Sequence, residues 1–136
     1  MGQSEEAVSA ADRGRELVSG WASNAERLFI EASWAESHRD FDTAERRWRE
    51  LAAVRPDDPD ARFELAEALK RRYRDKDAIE TYHAVLQRDA SYVRPRVELC
   101  QLYLRTGEPP LAEEQARAAQ ASYRSAGNRA GEAQAL

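Results

Sequence analysis

Apolar residues are regularly spaced along the chain, and the stretches that carry them are separated by short polar segments. Proline and glycine are scarce and stand at spaced positions, which is typical of turns between helices. The pattern predicts seven helices, near residues 4–20, 23–38, 42–54, 59–72, 76–88, 92–105 and 109–125.

Side-chain size repeats along the chain with a period of 34 residues. Small residues form one column at Ala44, Ala78 and Ala112 and a second column at Ala32, Ala66 and Cys100. Three further columns hold Ala35, Leu69 and Tyr103; Trp48, Tyr82 and the smaller Ala116; and Leu51, Val85 and the smaller Ala119. Two helices approach to about 8–10 Å where a small side chain opens the contact between them. A period of 34 with small residues in fixed columns therefore predicts stacked, antiparallel helix pairs.

Polar residues with capping chemistry precede three of the predicted helices. These residues are Asp42, with Glu45 three positions later, Asp58, which stands before Pro59, and Ser91. Residues 106–109 have the composition of a turn, and Pro109 is expected to begin the last helix.

Composition supports an all-α fold. Ala, Arg, Glu and Leu together make up 71 of 136 residues, whereas Val and Ile number only 8, too few for a sheet of β-branched strands. The formal net charge of −4 disfavours duplex nucleic acid as a partner, and no apolar stretch is long enough to span a membrane. The single cysteine, Cys100, excludes an internal disulfide framework, and we expect it to be a buried helix contact.

Residues 25–126 resemble three tetratricopeptide (TPR) repeats. In this chain Arg far outnumbers Lys, so the repeats resemble those of bacterial type. The matching stretches are LFIEASWAESHRDFDTAERRWRELAAVRP, FELAEALKRRYRDKDAIETYHAVLQRDA and VELCQLYLRTGEPPLAEEQARAA. The resemblance implies a right-handed superhelical α-solenoid of antiparallel helix pairs. It divides the chain into an N-terminal helix over 1–24, similar to the second helix of a preceding repeat, repeats over 25–58, 59–92 and 93–126, and the start of a further helix or a tail over 127–136.

The resemblance also implies where a partner would bind, because the first helix of every TPR repeat lines a concave groove. The implied groove residues are Phe29, Ser33, Phe63, Glu67, Lys70, Arg71, Arg94, Val97, Gln101 and Arg105. Phe29, Phe63 and Val97 would form an apolar stripe flanked by charged residues, suited to the side chains of a peptide. The alternative, left open by the sequence, is that Phe29 and Phe63 pack beneath a neighbouring repeat as part of the core.

One TPR subfamily binds the acidic C-terminal tails of heat-shock chaperones through a clamp of Lys, Asn and Arg. The corresponding positions here hold Phe29, Ser33, Glu64, Arg94 and Glu98, of which only Arg94 fits the clamp. Because Glu64 and Glu98 would repel an incoming carboxylate, we expect no binding of such tails.

No enzyme chemistry is indicated by the sequence. It contains no phosphate-binding loop, no dinucleotide fingerprint and no nucleophile elbow. The two histidines, His38 and His83, have no second His or Cys at ligand spacing, so neither a metal nor any other cofactor is expected.

The favoured hypothesis is therefore a non-enzymatic, cytoplasmic scaffold that presents its groove to a protein or peptide. A second hypothesis is a sensor or regulatory segment of a larger bacterial kinase or transcriptional regulator, because residues 27–58 resemble the repeat regions that are attached to such proteins. A third hypothesis is self-association into a homo-oligomer through exposed terminal helices.

Overall fold

The computed structural model describes the backbone of residues 23–135 and the side chains of residues 23–127, and this part of the chain contains helices and no strands. The helices are α1 (Asn24–Ser37), α2 (Phe41–Val54), α3 (Pro59–Arg71), α4 (Asp75–Arg88), α5 (Arg94–Arg105) and α6 (Pro109–Ala135). The predicted helix near 4–20 lies outside the described residues, as does Trp21. The other predicted bounds agree to within two residues, with one exception: α6 runs on to Ala135 and does not end near 125.

Two of the expected helix caps differ from those in the structure. The N-cap residue of α2 is Asp40, whose carboxylate accepts a hydrogen bond from the Thr43 backbone N–H at 3.2 Å. Asp42 therefore lies inside the first turn. Ser91 does not cap α5, because α5 begins only at Arg94, with Val93 at the cap position. Asp58 does accept from the backbone N–H of Asp60 at 2.9 Å, as expected for the start of α3.

A capping box that the sequence analysis missed begins α1. The Ser23 hydroxyl accepts from the Glu26 backbone N–H at 3.2 Å, and the Glu26 carboxylate accepts from the Ser23 N–H at 3.3 Å. Reciprocal bonds of this kind satisfy two N–H groups that the helix start would otherwise leave without partners.

The same backbone motif ends α1, α3 and α5. Arg39, Tyr73 and Gly107 follow these helices at intervals of 34 residues and adopt φ angles of 60°, 58° and 81°. Each N–H bonds the carbonyl three residues back, and the next N–H bonds the carbonyl five residues back, as in Asp40 to Ala35 at 2.8 Å. This is the Schellman arrangement, which terminates a helix with one residue in the left-handed region. The 34-residue period is therefore present in the backbone as well as in side-chain size.

The chain forms two compact units, and the boundary between them falls between Ala68 and Leu69, within α3. In the first unit, α1 packs against α2, and the three residues that join them make the pair antiparallel. In the second unit, α5 packs against both α4 and α6. Buried side chains of the first unit include Leu28, Ala32, Ala35, Ala44, Trp48 and Leu51, and those of the second include Ala78, Tyr82, Val85, Leu99, Leu102 and Ala112.

The small-residue columns show why the helices pack closely. Ala44, Ala78 and Ala112 are all buried, so the column is small and covered at each of its three positions. Ala32 and Ala66 are buried as well, but Cys100 is only half-buried, which corrects the expectation of a buried thiol. A thiol is larger than a methyl group, and part of it remains at the surface of α5.

Candidate functional site

In the first unit, the candidate residue Phe29 lies on the surface of α1 beside the core of the helix pair. Its side chain is 53% exposed, and its ring meets the buried Trp48 ring edge-on at a centroid distance of 5.5 Å. Trp48 also donates a hydrogen bond from its indole N–H to the Glu36 carboxylate at 2.9 Å. The exposed Phe29 ring therefore packs against the buried Trp48 ring. Ser33, another candidate residue on α1, is half-buried.

Phe63, the second member of the expected apolar stripe, is a core residue. Its side chain is 1% exposed, so it offers no surface to a partner, and the alternative that it packs in the core is correct for this position. The reason is that α3 is covered on more than one side: its buried residues Ala61, Phe63, Leu65, Ala66, Ala68 and Leu69 point in most directions around the helix. Glu67, on the same helix, is half-buried.

In the second unit, α5 carries a continuous exposed stripe. Arg94, Val97, Gln101 and Leu104 are exposed and follow one another at helical spacings of three and four residues, and the exposed Arg105 comes four residues after Gln101. Val97 is 38% exposed and Leu104 is 58% exposed, while Leu99 and Leu102 are buried. We call these five residues the α5 face. It brings together four of the ten candidate residues and places two apolar side chains between arginines.

Of the three basic candidates other than Arg94, two are held by carboxylates. Lys70, at the end of α3, forms an ion pair with Glu98 of α5, and both side chains are largely buried. Arg105 donates two hydrogen bonds to the Asp75 carboxylate, from Nε to Oδ2 at 3.1 Å and from Nη2 to Oδ1. These hydrogen bonds raise the pKa of the Arg105 guanidinium. The remaining basic candidate, Arg71, is exposed.

Tyr73 is a surface residue that the sequence analysis did not single out. It follows α3 with its side chain 79% exposed, and the Arg105 guanidinium lies 5.3 Å from the centre of its ring. A signal was available, because the 34-residue period places Tyr73 in line with Gly107, where a bulky residue is unusual.

Comparison with known proteins identifies the fold. No family model matches the sequence, and no curated protein is significantly similar to it. Among solved structures, "MamA MSR-1 C2" matches with a TM-score of 0.72 and 20% identity over 86% of this chain and 70% of that one. The type III secretion translocator chaperone SycD of Yersinia enterocolitica matches with a TM-score of 0.68 and 19% identity, over 72% of this chain and 73% of that one. The "CopN-Scc3 complex" gives 0.68 and 19%, over 74% and 61%.

These structures are TPR-like helical repeats. The chain has a TPR-type fold.

The two histidines take part in internal contacts. His83, on α4, forms a 2.8 Å hydrogen bond through Nε2 with the Tyr103 hydroxyl on α5. Burial, together with the positive charge of Arg96, lowers the pKa of His83, and burial raises the pKa of Tyr103. His38 stacks on Trp34 at a ring-centroid distance of 4.2 Å at the end of α1. Among the side chains of residues 23–127, no group of three or more His, Cys, Asp or Glu is placed to hold a metal ion.

A helix must be both long and predominantly apolar to cross a bilayer. Among the residues that the structure describes, no helix is both long enough and apolar enough to do so. The 27-residue α6, for example, carries charged residues along its length.

Proposed function

We propose that this chain is a non-enzymatic protein-binding module, and that the α5 face is a surface on which it binds a peptide or protein segment. The observation that carries this proposal is the exposure of Val97 and Leu104 on a helix whose opposite side is buried in the second unit. Two exposed aliphatic side chains at a spacing of seven residues suit the side chains of an incoming segment.

The charges at the ends of the α5 face would set the register of that segment. Arg94 stands at one end of the stripe and Arg105 at the other, so a partner with carboxylates at matching positions is favoured over one with cations. The helix is preformed, so little ordering entropy of the module is lost when the partner binds.

In the first unit, we propose that Phe29 with Ser33 provides a smaller contact surface on α1. The Phe29 ring is more than half exposed and rests on Trp48, which fixes its position. A rigid exposed aromatic ring is a common anchor in protein interfaces.

The names of two similar structures support a role in protein binding. SycD is described as a translocator chaperone, and CopN–Scc3 is described as a complex. The same type of fold therefore occurs in proteins that associate with other proteins.

The α5 face is tested by selecting ligands for the intact chain from a random peptide display library. The affinity of each selected peptide is then measured for wild type, Val97→Asp and Leu104→Asp. We expect either substitution to weaken binding by about tenfold, because it places a charge at an apolar anchor. Val54→Asp is the matched control, since Val54 is an exposed valine on α2.

The controls decide the outcome. Circular dichroism melts of each variant should match wild type, since all three positions are exposed. If selected peptides bind Val97→Asp and Leu104→Asp as tightly as they bind Val54→Asp, the α5 face is not the binding surface. If no peptide is enriched over panning without protein, the module does not bind peptides.

Self-association remains a second candidate, favoured by exposed apolar side chains on α6. Leu111 and Tyr123 are both exposed on this helix. Light scattering over a range of concentrations tests the idea, because a homo-oligomer held by these residues would lose mass in Tyr123→Ala. A mass that stays monomeric at every concentration removes this candidate.

A further inference from the structure

Four residues of α5 have the arrangement that receives a side chain from another helix. They are Val97, Cys100, Gln101 and Leu104, which stand at positions i, i+3, i+4 and i+7 and are therefore neighbours on the helix surface. We call these four residues the α5 hole. Val97, Gln101 and Leu104 are exposed and Cys100 is half-buried, so the α5 hole is open to solvent. A side chain that enters a hole of four residues is the unit of packing between two helices.

Cys100 gives the α5 hole its depth. It belongs to the column of small residues in which Ala32 and Ala66 are buried, yet it is itself only half-buried. The thiol is smaller than the three side chains that surround it, so an entering side chain meets the least volume there. Helices approach to about 8–10 Å where the side chains at the contact are small. The α5 hole therefore suits close approach by a further helix.

The α5 hole carries no charge. Although 34% of the residues in the chain are charged, none of these four is, and the cores of protein interfaces are likewise depleted in charged residues. The adjoining charged residues Glu98 and Arg105 are paired with Lys70 and Asp75. Arg105 donates two of its five N–H groups to Asp75, and the other three can bond a carboxylate of an occupant. The complementary occupant is therefore apolar over the α5 hole and acidic beside Arg105.

The spacing of Val97 and Leu104 selects the conformation of the occupant. Seven residues of an α-helix span about 10.5 Å along its axis. A second helix repeats its apolar side chains at the same interval, so two of them can contact Val97 and Leu104 together. An extended strand places side chains on one side at intervals of about 6.6 Å, and neither one nor two such intervals match this spacing. The two apolar side chains of α5 are thus spaced for a helix.

We propose that the α5 hole docks an amphipathic α-helix of a protein partner, with one apolar side chain of that helix inside the hole and a carboxylate beside Arg105. The inference rests on the proposed function, because Val97, Gln101 and Leu104 also belong to the α5 face. It deepens that function by naming the conformation and the chemistry of the segment that binds.

The probe is the peptide AEALAEALAALAEALAEA, acetylated and amidated at its ends and called the leucine peptide below. It consists of strong helix formers, and its leucines lie on one side of the helix at spacings of three and four residues. Calorimetry should show saturable binding to the intact chain with a Kd below about 1 mM. The same peptide with proline at its ninth position keeps every leucine but breaks the helix, so it should bind at least about tenfold more weakly.

Cys100 reports on occupancy of the α5 hole, because it is the single cysteine of the chain. Labelling of the native chain with iodoacetamide is followed by mass spectrometry. The leucine peptide at about ten times its Kd should slow labelling about tenfold, since about nine in ten holes are then occupied. The proline peptide at the same concentration should slow labelling by about twofold or less.

Two substitutions at Cys100 distinguish a hole from a general apolar patch. Cys100→Ala keeps a small residue and should leave the affinity for the leucine peptide within about twofold of wild type. Cys100→Leu fills the hole and should weaken binding by about tenfold or more, although it adds apolar surface. A patch without a hole would bind at least as tightly after this change. Circular dichroism melts check the fold of both variants, and the labelling experiment decides if Cys100→Leu does not fold.

The carboxylate beside Arg105 is tested with a second peptide, in which glutamine replaces each glutamate. Arg105→Gln should weaken binding of the leucine peptide about threefold and leave binding of the glutamine peptide unchanged. Arg124→Gln removes the same charge from an exposed position on α6, so it should change neither affinity. Equal effects of Arg105→Gln on the two peptides would place the carboxylate elsewhere.

Several results would overturn the proposal. It fails if the leucine peptide does not bind, if the proline peptide binds as tightly, or if a folded Cys100→Leu binds as wild type does. It also fails if iodoacetamide does not label Cys100 in the free chain, because the hole is then closed. A dimer in light scattering that is lost in Leu104→Asp would make the occupant a second copy of the chain.

The failure of this inference is distinguishable from the failure of the proposed function. Display peptides that depend on Val97 and Leu104, but bind Cys100→Leu as tightly as wild type, support the α5 face and reject a helix in the α5 hole. If neither the display peptides nor the leucine peptide depends on Val97 or Leu104, the α5 face itself is not a binding surface.

Discussion

At the scale of single residues, the backbone conformation of three turn positions links sequence and structure most directly. Arg39, Tyr73 and Gly107 occupy the same left-handed position 34 residues apart, yet only one of them is glycine. Glycine adopts this conformation without a steric cost, whereas Arg and Tyr do not. The hydrogen bonds that end each helix compensate for that cost.

The turn positions give a prediction about stability. Gly107→Ala should lower the free energy of unfolding by about 1 kcal/mol, because alanine is strained at positive φ. The space around Gly107 is open, with no atom within 4 Å of an added Cβ, so the effect would come from the backbone alone. Urea denaturation measures it. Arg39→Gly is the converse change and should raise the free energy of unfolding by about 0.5–1 kcal/mol. If both variants are as stable as wild type, a non-glycine residue is not strained at these turn positions.

At the scale of helices, the composition predicted where helices occur better than it predicted how they begin. Asp42 and Ser91 have suitable side chains, but Asp40 caps α2 and no side chain caps α5. Several polar residues near a helix start compete for the cap, and the one that succeeds depends on where the preceding turn places the chain. In α2, that turn is fixed by the left-handed Arg39.

Two serines provide a matched test of these caps. Ser23→Ala should destabilise the first helix pair by about 1 kcal/mol, because it removes the acceptor in the capping box of α1. Ser91→Ala should cost less than about 0.5 kcal/mol, since Ser91 is exposed and lies outside α5. Denaturant melts of both variants measure the difference, and a larger loss for Ser91→Ala would refute this assignment of the caps.

We expect the stability of the second unit to depend on pH through His83, which lies on α4 and bonds Tyr103 of α5. Burial and Arg96 lower the pKa of His83 below its ordinary value of 6.5, although Glu114 acts in the opposite direction. Above pH 6.5 the imidazole is neutral in both folded and unfolded states. As the pH falls below this value, the unfolded state binds the proton first, so stability is lost as the pH approaches the lower folded-state pKa.

A His83→Gln variant isolates this effect from the titration of carboxylates. As the pH falls from about 7.5 to about 5, the unfolding free energy of wild type should decrease more than that of the variant. Chemical denaturation at each pH measures the difference. If the two proteins lose stability in parallel over this range, His83 is not the group responsible.

At the scale of the whole molecule, the 34-residue period accounts for the core. Ala44, Ala78 and Ala112 are buried as a column, and Trp48 and Tyr82 are buried as the bulky residues of a second column. At the third position of that column stands Ala116, which is exposed on α6. The boundaries of the three repeats over 25–58, 59–92 and 93–126 stay a prediction.

Phe29 and Phe63 show how unequal two members of one column can be. Phe63→Ala should destabilise the protein by about 3–5 kcal/mol, because it empties a fully buried site. Phe29→Ala should cost about 1 kcal/mol or less, since its ring is half exposed and loses chiefly the contact with Trp48. Denaturation of the two variants side by side provides the measurement, and similar losses would contradict the assignment of Phe63 to the core and Phe29 to the surface.

The sequence by itself determined the helical class, the period of the repeat and nearly all of the helix bounds. These follow from local properties, since side-chain size at 34-residue intervals and turn-forming residues between apolar stretches act through near neighbours along the chain. Four of the residues that the TPR resemblance implied, Arg94, Val97, Gln101 and Arg105, lie on one exposed stripe of α5. Their role in binding stays a prediction.

Only the tertiary structure decided which side of each helix is covered. The sequence could not separate the buried Phe63 from the exposed Phe29, because helices that carry the same pattern differ in how many neighbours surround them. It also could not show that Asp75 holds Arg105 against Tyr73. Asp75 and Arg105 lie 30 positions apart in the sequence and meet only once α4 and α5 have packed. Contacts between distant residues depend on the packing of helices, which periodicity along one helix does not specify.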